Sequence, residues 1–510
     1  MRPVVSRRPG WRVNIAEVLL DERLPAGGLR PAIRFPGGEW TLEELAQRVG
    51  GLTAELRDRG VADGDRVALA LPDSPSWAVA FLALMRTGAV AALVPGSLPH
   101  DRRVDAVARA QPALMVSNDP GLAPHLPAIC LRDADYGPDP GPAATRGTDA
   151  AYLLLTSGST GPPKWAIHRH RDIPACLATY GRHVLRLRPG DVTYSSASLA
   201  SSYGLGNSLY FPLGAGACAW IDGERPSPSQ AASACVEGGV TVILGVPTFW
   251  ARLARHVADG RVLREAFAGV RLAVSAGEPL PEAVFDAVRR NLGVELVDGL
   301  GSSEATNLYL SNSPGTAIRG AVGRVVPGFQ VQVCDLDDQQ VAPGQVGQLL
   351  VRGDSVMAGY LGDELATAHA LAGGWLHTGD LVQRRDDGAY RFVGRVGDRF
   401  KSGGLWVDPH RVAHVLAEHH RVAEAHVVGV PDQTGVVRVA AVVAPVDADG
   451  ADRLELELPE FAASRLARHE VPWAVMVVPE LPTAPSGQVR RDEVARLAAA
   501  AMARGQHVVA

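Results

Sequence analysis

The order of apolar and polar positions along the chain predicts an alternation of strands and helices. Short apolar runs with the length of buried strands occur at residues 66–71, 88–94, 151–155, 240–244 and 270–274. Helical patterns stand between them. In residues 40–47, Thr41 followed by Glu44 is typical of a capping box, and residues 76–87 form a second helical segment. Strands that alternate with helices form parallel sheets covered by helices, so the pattern predicts an α/β fold.

The pattern changes in the later part of the chain. Residues 118–148 are rich in Pro, Gly and Asp, which predicts a surface segment, and residues 331–351 show short strands and turns typical of a small barrel-like section. After residue 396 the pattern predicts a compact α+β module, with a helix near 409–419 and strands at 425–430 and 437–444. We therefore expect a large N-terminal domain, residues 1–396, and a small mobile C-terminal domain, residues 397–510.

Bulk composition is that of an ordinary globular enzyme. The chain has 510 residues, 46% of them hydrophobic and 21% charged, which is too long for a single core. A net charge of −5 gives no reason to expect nucleic acid or a membrane as partner. The five cysteines have no metal-ligand spacing, and we expect buried thiols in a reducing cytoplasm. The first residues lack the apolar core of a signal peptide.

Residues 156–164, TSGSTGPPK, have the composition of a phosphate-binding loop. Glycine lets the backbone turn tightly and approach an anion closely, while hydroxyls and backbone N–H groups surround its oxygens. The apolar run at 151–155 is predicted to lead into this loop as a buried strand. The spacing is not that of a Walker loop. The predicted phosphate ligands are Thr156, Ser157, Gly158, Ser159, Thr160, Gly161 and Lys164.

This loop resembles the signature loop of the adenylate-forming superfamily, which contains acyl-CoA ligases, luciferases and the adenylation domains of peptide synthetases. Further segments match that superfamily in the same order along the chain, and they are residues 275–281 (SAGEPLP), 298–304 (DGLGSSE), 375–380 (WLHTGD) and 394–395 (GR). Within the superfamily the chain most resembles benzoate-CoA ligases and related aryl-CoA ligases, through residues 203–213, 310–314 and 404–409.

The resemblance implies ATP and Mg²⁺ as cofactors, with CoA as the thiol acceptor. It places Glu304 beside the metal as a catalytic carboxylate, together with Lys164 on the leaving phosphates, Asp380 on the ribose and Arg395 on the ribose or phosphate. Lys401 begins the stretch that borders the pantetheine tunnel in such enzymes. The implied nucleotide-binding segments comprise Gly277, Glu278 and Pro279, then Asp298, Gly299, Leu300, Gly301, Ser302 and Ser303.

The implied acid-binding segment contains Tyr203 and Gly204. From composition alone an aromatic residue here is as often core as pocket wall, and the resemblance favours the pocket. Shortly before this tyrosine, where relatives carry bulky aromatic residues or histidine, the chain has Ala200 and Ser201. Loss of bulk widens or hydrates the pocket, so we expect a hydroxy- or amino-substituted benzoate or a larger aryl acid as substrate.

Two positions depart from the superfamily pattern. Gly397 stands where an aspartate often forms the pivot of the C-terminal domain, and glycine can absorb large backbone changes. Gln488 stands where a catalytic lysine normally contacts the acid and the α-phosphate. Losing such a donor typically costs about 3 kcal/mol, roughly a hundredfold in rate. Three explanations stay open: Arg490 or Arg491 replaces the lysine, the enzyme adenylates slowly in a specialised (secondary) metabolic pathway, or the pocket activates an unusual substrate.

The leading hypothesis is ATP-dependent activation of an aromatic acid through an acyl-AMP, followed by thioester formation with CoA. The alternatives are acyl transfer to a carrier protein, activation of nitrite for diazotisation of an aryl amine, and a weakened protein that only binds an acid or a nucleotide. A homodimer is suggested by the resemblance alone.

Overall fold

The computed structural model of the protein describes residues 11–96, 98–131, 138–156, 163–223, 226–335, 337–398, 400–402, 405–446, 451–482 and 489–503. The chain forms two compact units. The first comprises Met1–Gln332 and Leu350–Thr378, and the second comprises Val333–Leu349 and Gly379–Ala510. The domain boundary expected between residues 396 and 397 stays a prediction.

In chain order the strands are β1 Pro31–Phe35, β2 Gly38–Thr41, β3 Arg66–Ala70, β4 Val90–Leu93, β5 Leu114–Ser117, β6 Ala128–Ile129, β7 Ala150–Thr156, β8 Lys164–Arg169, β9 Val192–Ser195, β10 Cys218–Trp220, β11 Val242–Gly245, β12 Leu272–Ser275, β13 Leu296–Gly301, β14 Leu308–Ser311, β15 Arg324–Val325, β16 Gln330–Cys334, β17 Val346–Arg352, β18 Gly359–Tyr360, β19 Leu376–Arg384, β20 Tyr390–Arg395, β21 Phe400–Ser402, β22 Leu405–Val407, β23 Val422–Pro431, β24 Val437–Pro445 and β25 Ala474–Val477.

The α-helices are α1 Leu24–Gly27, α2 Leu42–Asp58, α3 Pro75–Thr87, α4 His100–Ala110, α5 Asp172–Cys176, α6 Ser202–Leu205, α7 Phe211–Ala215, α8 Pro228–Gly238, α9 Pro247–Ala258, α10 Glu282–Leu292, α11 Glu364–Ala370, α12 Pro409–Ala417, α13 Ala451–Ala463 and α14 Arg491–Ala503. Short 3₁₀ turns are Pro120–Leu122, Arg264–Phe267, Ser303–Ala305, Ala372–Gly374 and Arg468–Glu470, and π-helical segments are Glu17–Asp21, Leu177–Leu185 and Gly206–Tyr210.

Two large sheets form the first unit. One has nine strands in the order β15-β14-β13-β12-β11-β9-β10-β1-β2, and the other has seven in the order β18-β8-β7-β4-β3-β5-β6. Pairing is parallel from β1 through β10, β9, β11 and β12 to β13, and also from β7 through β4, β3 and β5 to β6. The expected parallel sheets are therefore confirmed, with antiparallel strands added at their edges.

The described part of the second unit contains three smaller sheets. The short strands expected around residues 331–351 belong to a four-stranded sheet in the order β16-β17-β19-β20. Beyond it lie the hairpin β21-β22 and the three-stranded sheet β23-β24-β25. Apolar residues of α12, α13, β23 and β24 pack together as one core of this unit. The large-plus-small α/β architecture predicted from the pattern is confirmed.

The ends of α2 and α3 show how closely local sequence sets the elements. Thr41 and Glu44 form the expected capping box, each side chain accepting a hydrogen bond from the backbone N–H of the other residue. Gly88 differs from the expectation, because it does not begin a strand. At φ 85° it ends α3 in the left-handed conformation that glycine tolerates, and β4 begins only at Val90.

The segment expected on the surface at residues 118–148 is partly ordered into the sheet. Residues 132–137 lie outside the described part of the chain. Ala128–Ile129 forms a parallel edge strand on β5, and Ile129 is buried. The sequence did not predict this strand, because two residues within a stretch rich in proline and glycine are too short to give a periodic signal. No helix among the described residues is both long and apolar enough to cross a membrane.

Candidate active site

The predicted phosphate-binding loop joins β7 to β8. These two strands pair antiparallel, with Thr156 opposite Lys164, and the Lys164 N–H donates a 3.4 Å hydrogen bond to the Thr156 hydroxyl. The hairpin therefore brings both ends of the loop together. The predicted ligands between them, Ser157, Gly158, Ser159, Thr160 and Gly161, lie outside the described residues.

A short chain of contacts connects the predicted phosphate lysine with the predicted metal carboxylate. The Lys164 ammonium lies 5.2 Å from the centre of the Tyr360 ring and 3.7 Å from a carboxylate oxygen of Asp363. The Tyr360 hydroxyl donates a 2.9 Å hydrogen bond to Oε1 of Glu304. Tyr360 thus holds both charged groups at once, the lysine through its ring face and the carboxylate through its hydroxyl.

Neither Tyr360 nor Asp363 was identified from the sequence. Tyr360 lies on the two-residue strand β18, opposite Ala166 of β8, and such a strand carries no periodic pattern. Asp363 does carry a local signal, because its side chain accepts a hydrogen bond from the Ala366 N–H and caps α11. That signal predicts the cap but not the contact with Lys164.

Glu304 lies on a tight turn, Ser303–Ala305, that follows β13. Its carbonyl accepts a 2.7 Å hydrogen bond from the Met357 N–H. One residue earlier, the Ser303 carbonyl accepts a 2.8 Å hydrogen bond from Nε2 of His168, whose side chain is completely buried. The turn is therefore held on both sides of the carboxylate by groups that belong to other segments.

His168 is itself fixed by polar neighbours. Its Nδ1 lies 3.1 Å from a carboxylate oxygen of Asp172 and 3.0 Å from the hydroxyl of Thr306. Asp172 is fully buried and also accepts from Arg169. Both ring nitrogens of His168 therefore lie within hydrogen-bond distance of polar atoms from neighbouring segments. Nothing in the local sequence distinguishes this histidine from His170, which instead accepts a hydrogen bond from the Ile15 N–H.

The predicted acid-binding segment reaches the same turn. The Ser202 hydroxyl lies 3.4 Å from the hydroxyl of Ser303. The preceding residues are fixed from another loop, because Asp73 accepts from the Ser198 hydroxyl and from the Leu199 N–H, both at 3.0 Å. Asp73 was also missed by sequence reasoning, since 125 residues separate it from its partner Ser198.

The four predicted residues of this segment are distributed around α6. Ala200 is buried, and Ser201 caps the helix by accepting a 3.0 Å hydrogen bond from the Gly204 N–H. A side chain at Gly204 would place its Cβ 2.0 Å from the Ser198 carbonyl oxygen, so only glycine fits there. Tyr203 is partly exposed as a residue, although its hydroxyl is inaccessible.

The predicted adenine segments occupy neighbouring strand ends. Gly277, Glu278 and Pro279 follow β12, and the Glu278 carboxylate accepts from the Thr248 N–H at 3.3 Å. Asp298 pairs with Ser275 across β12 and β13, and burial raises the pKa of its carboxyl well above its usual range. Gly299, Leu300 and Gly301 continue β13, and Ser302 and Ser303 enter the turn of Glu304.

The predicted ribose ligands lie in the second unit. Asp380 is 2% exposed and stands opposite Arg395 across β19 and β20, and the Arg395 Nε donates a 2.8 Å hydrogen bond to its carboxylate. The side chain of Lys401 and the whole of Gln488 lie outside the described residues. Arg490, one candidate to replace the missing lysine, forms an ion pair of 2.8 Å with Glu493.

Glu304 is the only carboxylate predicted to hold Mg²⁺, and the described residues contain no group of three or more His, Cys, Asp or Glu side chains arranged as a metal site. A single carboxylate fits magnesium, which is usually held in nucleotide enzymes by one or two carboxylates, water and substrate phosphates. The roles of all these residues stay predictions.

Together the fold and these contacts define a two-unit α/β protein in which Tyr360 contacts both the predicted phosphate lysine, Lys164, and the predicted metal-side carboxylate, Glu304. Comparison with known families agrees with the superfamily that the motifs indicate. Residues 21–361 match the AMP-binding enzyme family, and residues 411–488 match the C-terminal domain of AMP-binding enzymes. The chain belongs to this family, which is the adenylate-forming superfamily inferred from the motifs.

Three similar proteins illustrate where the chain lies within the family. The anthranilate–CoA ligase of Pseudomonas aeruginosa is 34% identical over 459 residues, covering 85% of this chain and 87% of that protein. The p-hydroxybenzoic acid–AMP ligase FadD22 of Mycobacterium tuberculosis is 34% identical over 487 residues, covering 94% of this chain and 68% of that protein. A crystal structure of a benzoate CoA ligase from Burkholderia xenovorans LB400 matches with a TM-score of 0.87 and 29% identity, and the match covers 94% of this chain and 99% of that chain.

Proposed function

We propose that this chain is an AMP-forming acid–thiol ligase that activates an aromatic carboxylic acid with ATP and transfers the acyl group to CoA. The observation that carries the proposal is the chain of contacts from Lys164 through Tyr360 to Glu304, joined by Ser303 and Ser202 to the acid-binding segment. It fits one centre that holds a triphosphate, a metal-side carboxylate and an acid.

In the first half-reaction an oxygen of the substrate carboxylate attacks the α-phosphorus of ATP. A new O–P bond forms, the bond to the bridging oxygen breaks, and pyrophosphate leaves. Lys164 and the hairpin loop hold the departing phosphates, and the catalytic effect is mainly positioning and electrostatic stabilisation. Mg²⁺ beside Glu304 supplies charge neutralisation at the phosphate oxygens when it is bound.

In the second half-reaction the thiol of CoA attacks the carbonyl carbon of the acyl-AMP, and AMP leaves. The stretch that begins at Lys401 supports CoA as the acceptor, because it resembles the border of a pantetheine tunnel. The names of the anthranilate and benzoate relatives also support CoA. A carrier protein in place of CoA, a homodimer and a cytoplasmic location remain proposals, the last supported by five cysteines that form no disulfide.

The acid is proposed to be a substituted benzoate. Ala200 and Ser201 are small where relatives carry bulky aromatic residues or histidine, and this supports a pocket that accepts a ring substituent. The relatives are named for anthranilate, p-hydroxybenzoic acid and benzoate, all of them aromatic acids. They favour acid activation over the nitrite and binding-only alternatives.

The deciding experiment is mass spectrometry of a reaction that contains the protein, Mg–ATP, CoA and a panel of amino- and hydroxybenzoates. AMP together with an aryl-CoA is the expected result. Omission of CoA is the matched control, and it should leave a small amount of enzyme-bound aryl-AMP without thioester. Unchanged ATP with every acid would refute the proposal, and the nitrite reaction would then be tested with the same protein.

A further inference from the structure

The ammonium of Lys164 has two neighbours in the segment that contains and follows β18. It stands over the ring of Tyr360, and it lies 3.7 Å from the Oδ2 atom of Asp363. This distance is that of an ion pair without a hydrogen bond. Both side chains of the pair remain partly exposed, at 36% for Lys164 and 39% for Asp363. The group predicted to hold the departing phosphates of ATP therefore has a negatively charged partner within the protein.

Asp363 is held in place by contacts that do not involve Lys164. Its Oδ1 accepts a 2.9 Å hydrogen bond from the Ala366 N–H and caps α11. Its carbonyl accepts from the hydroxyl of Thr367 at 2.8 Å, and that hydroxyl accepts in turn from the Tyr360 N–H at 2.8 Å. One carboxylate oxygen is thus used by the cap, and the other, Oδ2, faces the ammonium. The negative charge is therefore fixed at this point by the fold.

Lys164 differs from Asp363, because its charge is carried on a flexible stem. Its backbone is fixed opposite Thr156 across β7 and β8. An ammonium on a four-carbon side chain can turn from one anion to another. A phosphate that binds this ammonium competes with Asp363 for it and also meets the repulsion of the fixed carboxylate. The two anions therefore oppose each other at a single cation.

We propose that Asp363 is an internal counter-ion that competes with the phosphates of ATP and pyrophosphate for Lys164. The inference rests on the part of the proposed function in which Lys164 holds these phosphates. Such competition favours turnover, because pyrophosphate must leave the group that binds ATP, and binding that is equally tight at every stage does not raise kcat. Asp363 acts through Lys164, so it is a positioning residue.

The test measures the binding of Mg–ATP, pyrophosphate and AMP by calorimetry. Asp363→Asn removes the charge but retains the cap, since asparagine and aspartate cap helices about equally well, and Asp363→Ser is a second variant that also keeps a capping oxygen. Glu364→Gln is the matched control, because it removes the same charge from the next residue, which is exposed. AMP is the control ligand, because it lacks the two phosphates that Lys164 is proposed to hold.

Both Asp363 variants should bind ATP and pyrophosphate about threefold to tenfold more tightly than the wild type. Their affinity for AMP should not change, and Glu364→Gln should alter the binding of each ligand by less than about twofold. In acid-dependent AMP release the KM for ATP should fall by a similar factor, while kcat should stay level or fall. At about 1 M salt, where charges are screened beyond about 3 Å, the gain in affinity should largely disappear.

Unchanged or weaker binding of ATP in Asp363→Asn would overturn the inference, and weaker binding would mean that Asp363 instead holds Lys164 ready for the phosphates. Equal tightening of AMP would overturn it as well, since the effect would not pass through Lys164. If Asp363→Asn fails to fold, Asp363→Ser decides the matter in the same way.

Failure of the proposed function gives a different result. A protein that binds ATP but forms no AMP with any acid would refute the proposed function, while the binding comparison would still decide the role of Asp363. A protein that binds neither ATP nor pyrophosphate would refute both.

Discussion

A hydrogen bond between His168 and the carbonyl of Ser303 holds the turn that carries Glu304, so its removal tests how the site is positioned. Nε2 of His168 lies 2.8 Å from the Ser303 carbonyl, and Nδ1 faces Asp172 at 3.1 Å. Two substitutions separate these contacts. Glutamine can place its amide nitrogen near the position of Nε2, whereas asparagine reaches only as far as Nδ1.

The size of the effect follows from the kind of bond. Removing one partner of a buried hydrogen bond typically costs about 1–3 kcal/mol. If that energy serves to hold the turn of Glu304, its loss slows adenylation by about tenfold to a hundredfold. We therefore expect His168→Asn to lose activity by that factor and His168→Gln to retain most of it. Both variants should lose stability, because each perturbs a fully buried polar network.

The assay is the acid-dependent exchange of labelled pyrophosphate into ATP, measured across a range of Mg²⁺ concentrations. Calorimetric binding of ATP with and without Mg²⁺ gives a second readout that does not depend on turnover. His170→Asn serves as the control, since His170 is also completely buried and accepts from the Ile15 N–H at 3.3 Å without touching the turn. If His168→Asn were as active as His168→Gln, the Ser303 contact would have no positioning role.

Four further outcomes are expected. Tyr360→Phe keeps the ring beside Lys164 but loses the bond to Glu304, so pyrophosphate exchange should fall about tenfold and need more Mg²⁺; an unchanged rate would contradict this. Gln488→Lys should raise exchange, by up to roughly a hundredfold, while Gln488→Ala should change it little; equal rates would mean that no charge is needed. Burial lowers the pKa of His170 from 6.5 to about 4, so the unfolded state takes up the proton at a higher pH than the folded state. The free energy of unfolding should therefore fall as pH drops from 6.5 towards 4, by about 2 kcal/mol at pH 5. Denaturant titrations should show a smaller pH dependence of this free energy in His170→Asn. Thr41→Ala should cost about 1 kcal/mol in the same titrations, a loss absent from Gln47→Ala at an exposed position of α2 outside the capping box.

Much of the fold could be predicted because its signals are local. The apolar run at 151–155 lies within β7, and the helix expected at 76–87 is α3 with Ser74 as its cap. The prediction that a strand begins at Gly88 was wrong, and the reason is also local. Gly88 adjoins an apolar run, and only its positive φ shows that it ends a helix rather than beginning a strand. Single-residue conformation of this kind leaves no periodic trace in the sequence.

The site was harder to predict, because its contacts join segments that are distant along the chain. Motif order named Lys164 and Glu304 but could not show that Tyr360 lies between them. Likewise Asp73 bonds to the predicted acid-binding segment from a distant position in the sequence. Motif residues are recognisable because they belong to a short sequence pattern of unusual composition. Supporting residues such as Tyr360 belong to no such pattern, and only the tertiary structure shows which groups they contact.

Thr306 shows how firmly this support fixes the turn of Glu304. Its φ of 68° and ψ of −40° are unfavourable for a β-branched residue and typically cost about 1–3 kcal/mol. Its hydroxyl donates a 3.0 Å hydrogen bond to the Ser355 carbonyl and lies 3.0 Å from Nδ1 of His168. Glycine would relieve the backbone strain but would also remove that hydroxyl. A strained residue therefore stands two positions after Glu304, and a rigid turn there would preorganise the carboxylate for its predicted role beside the phosphates, which would reduce the reorganisation needed when charge develops.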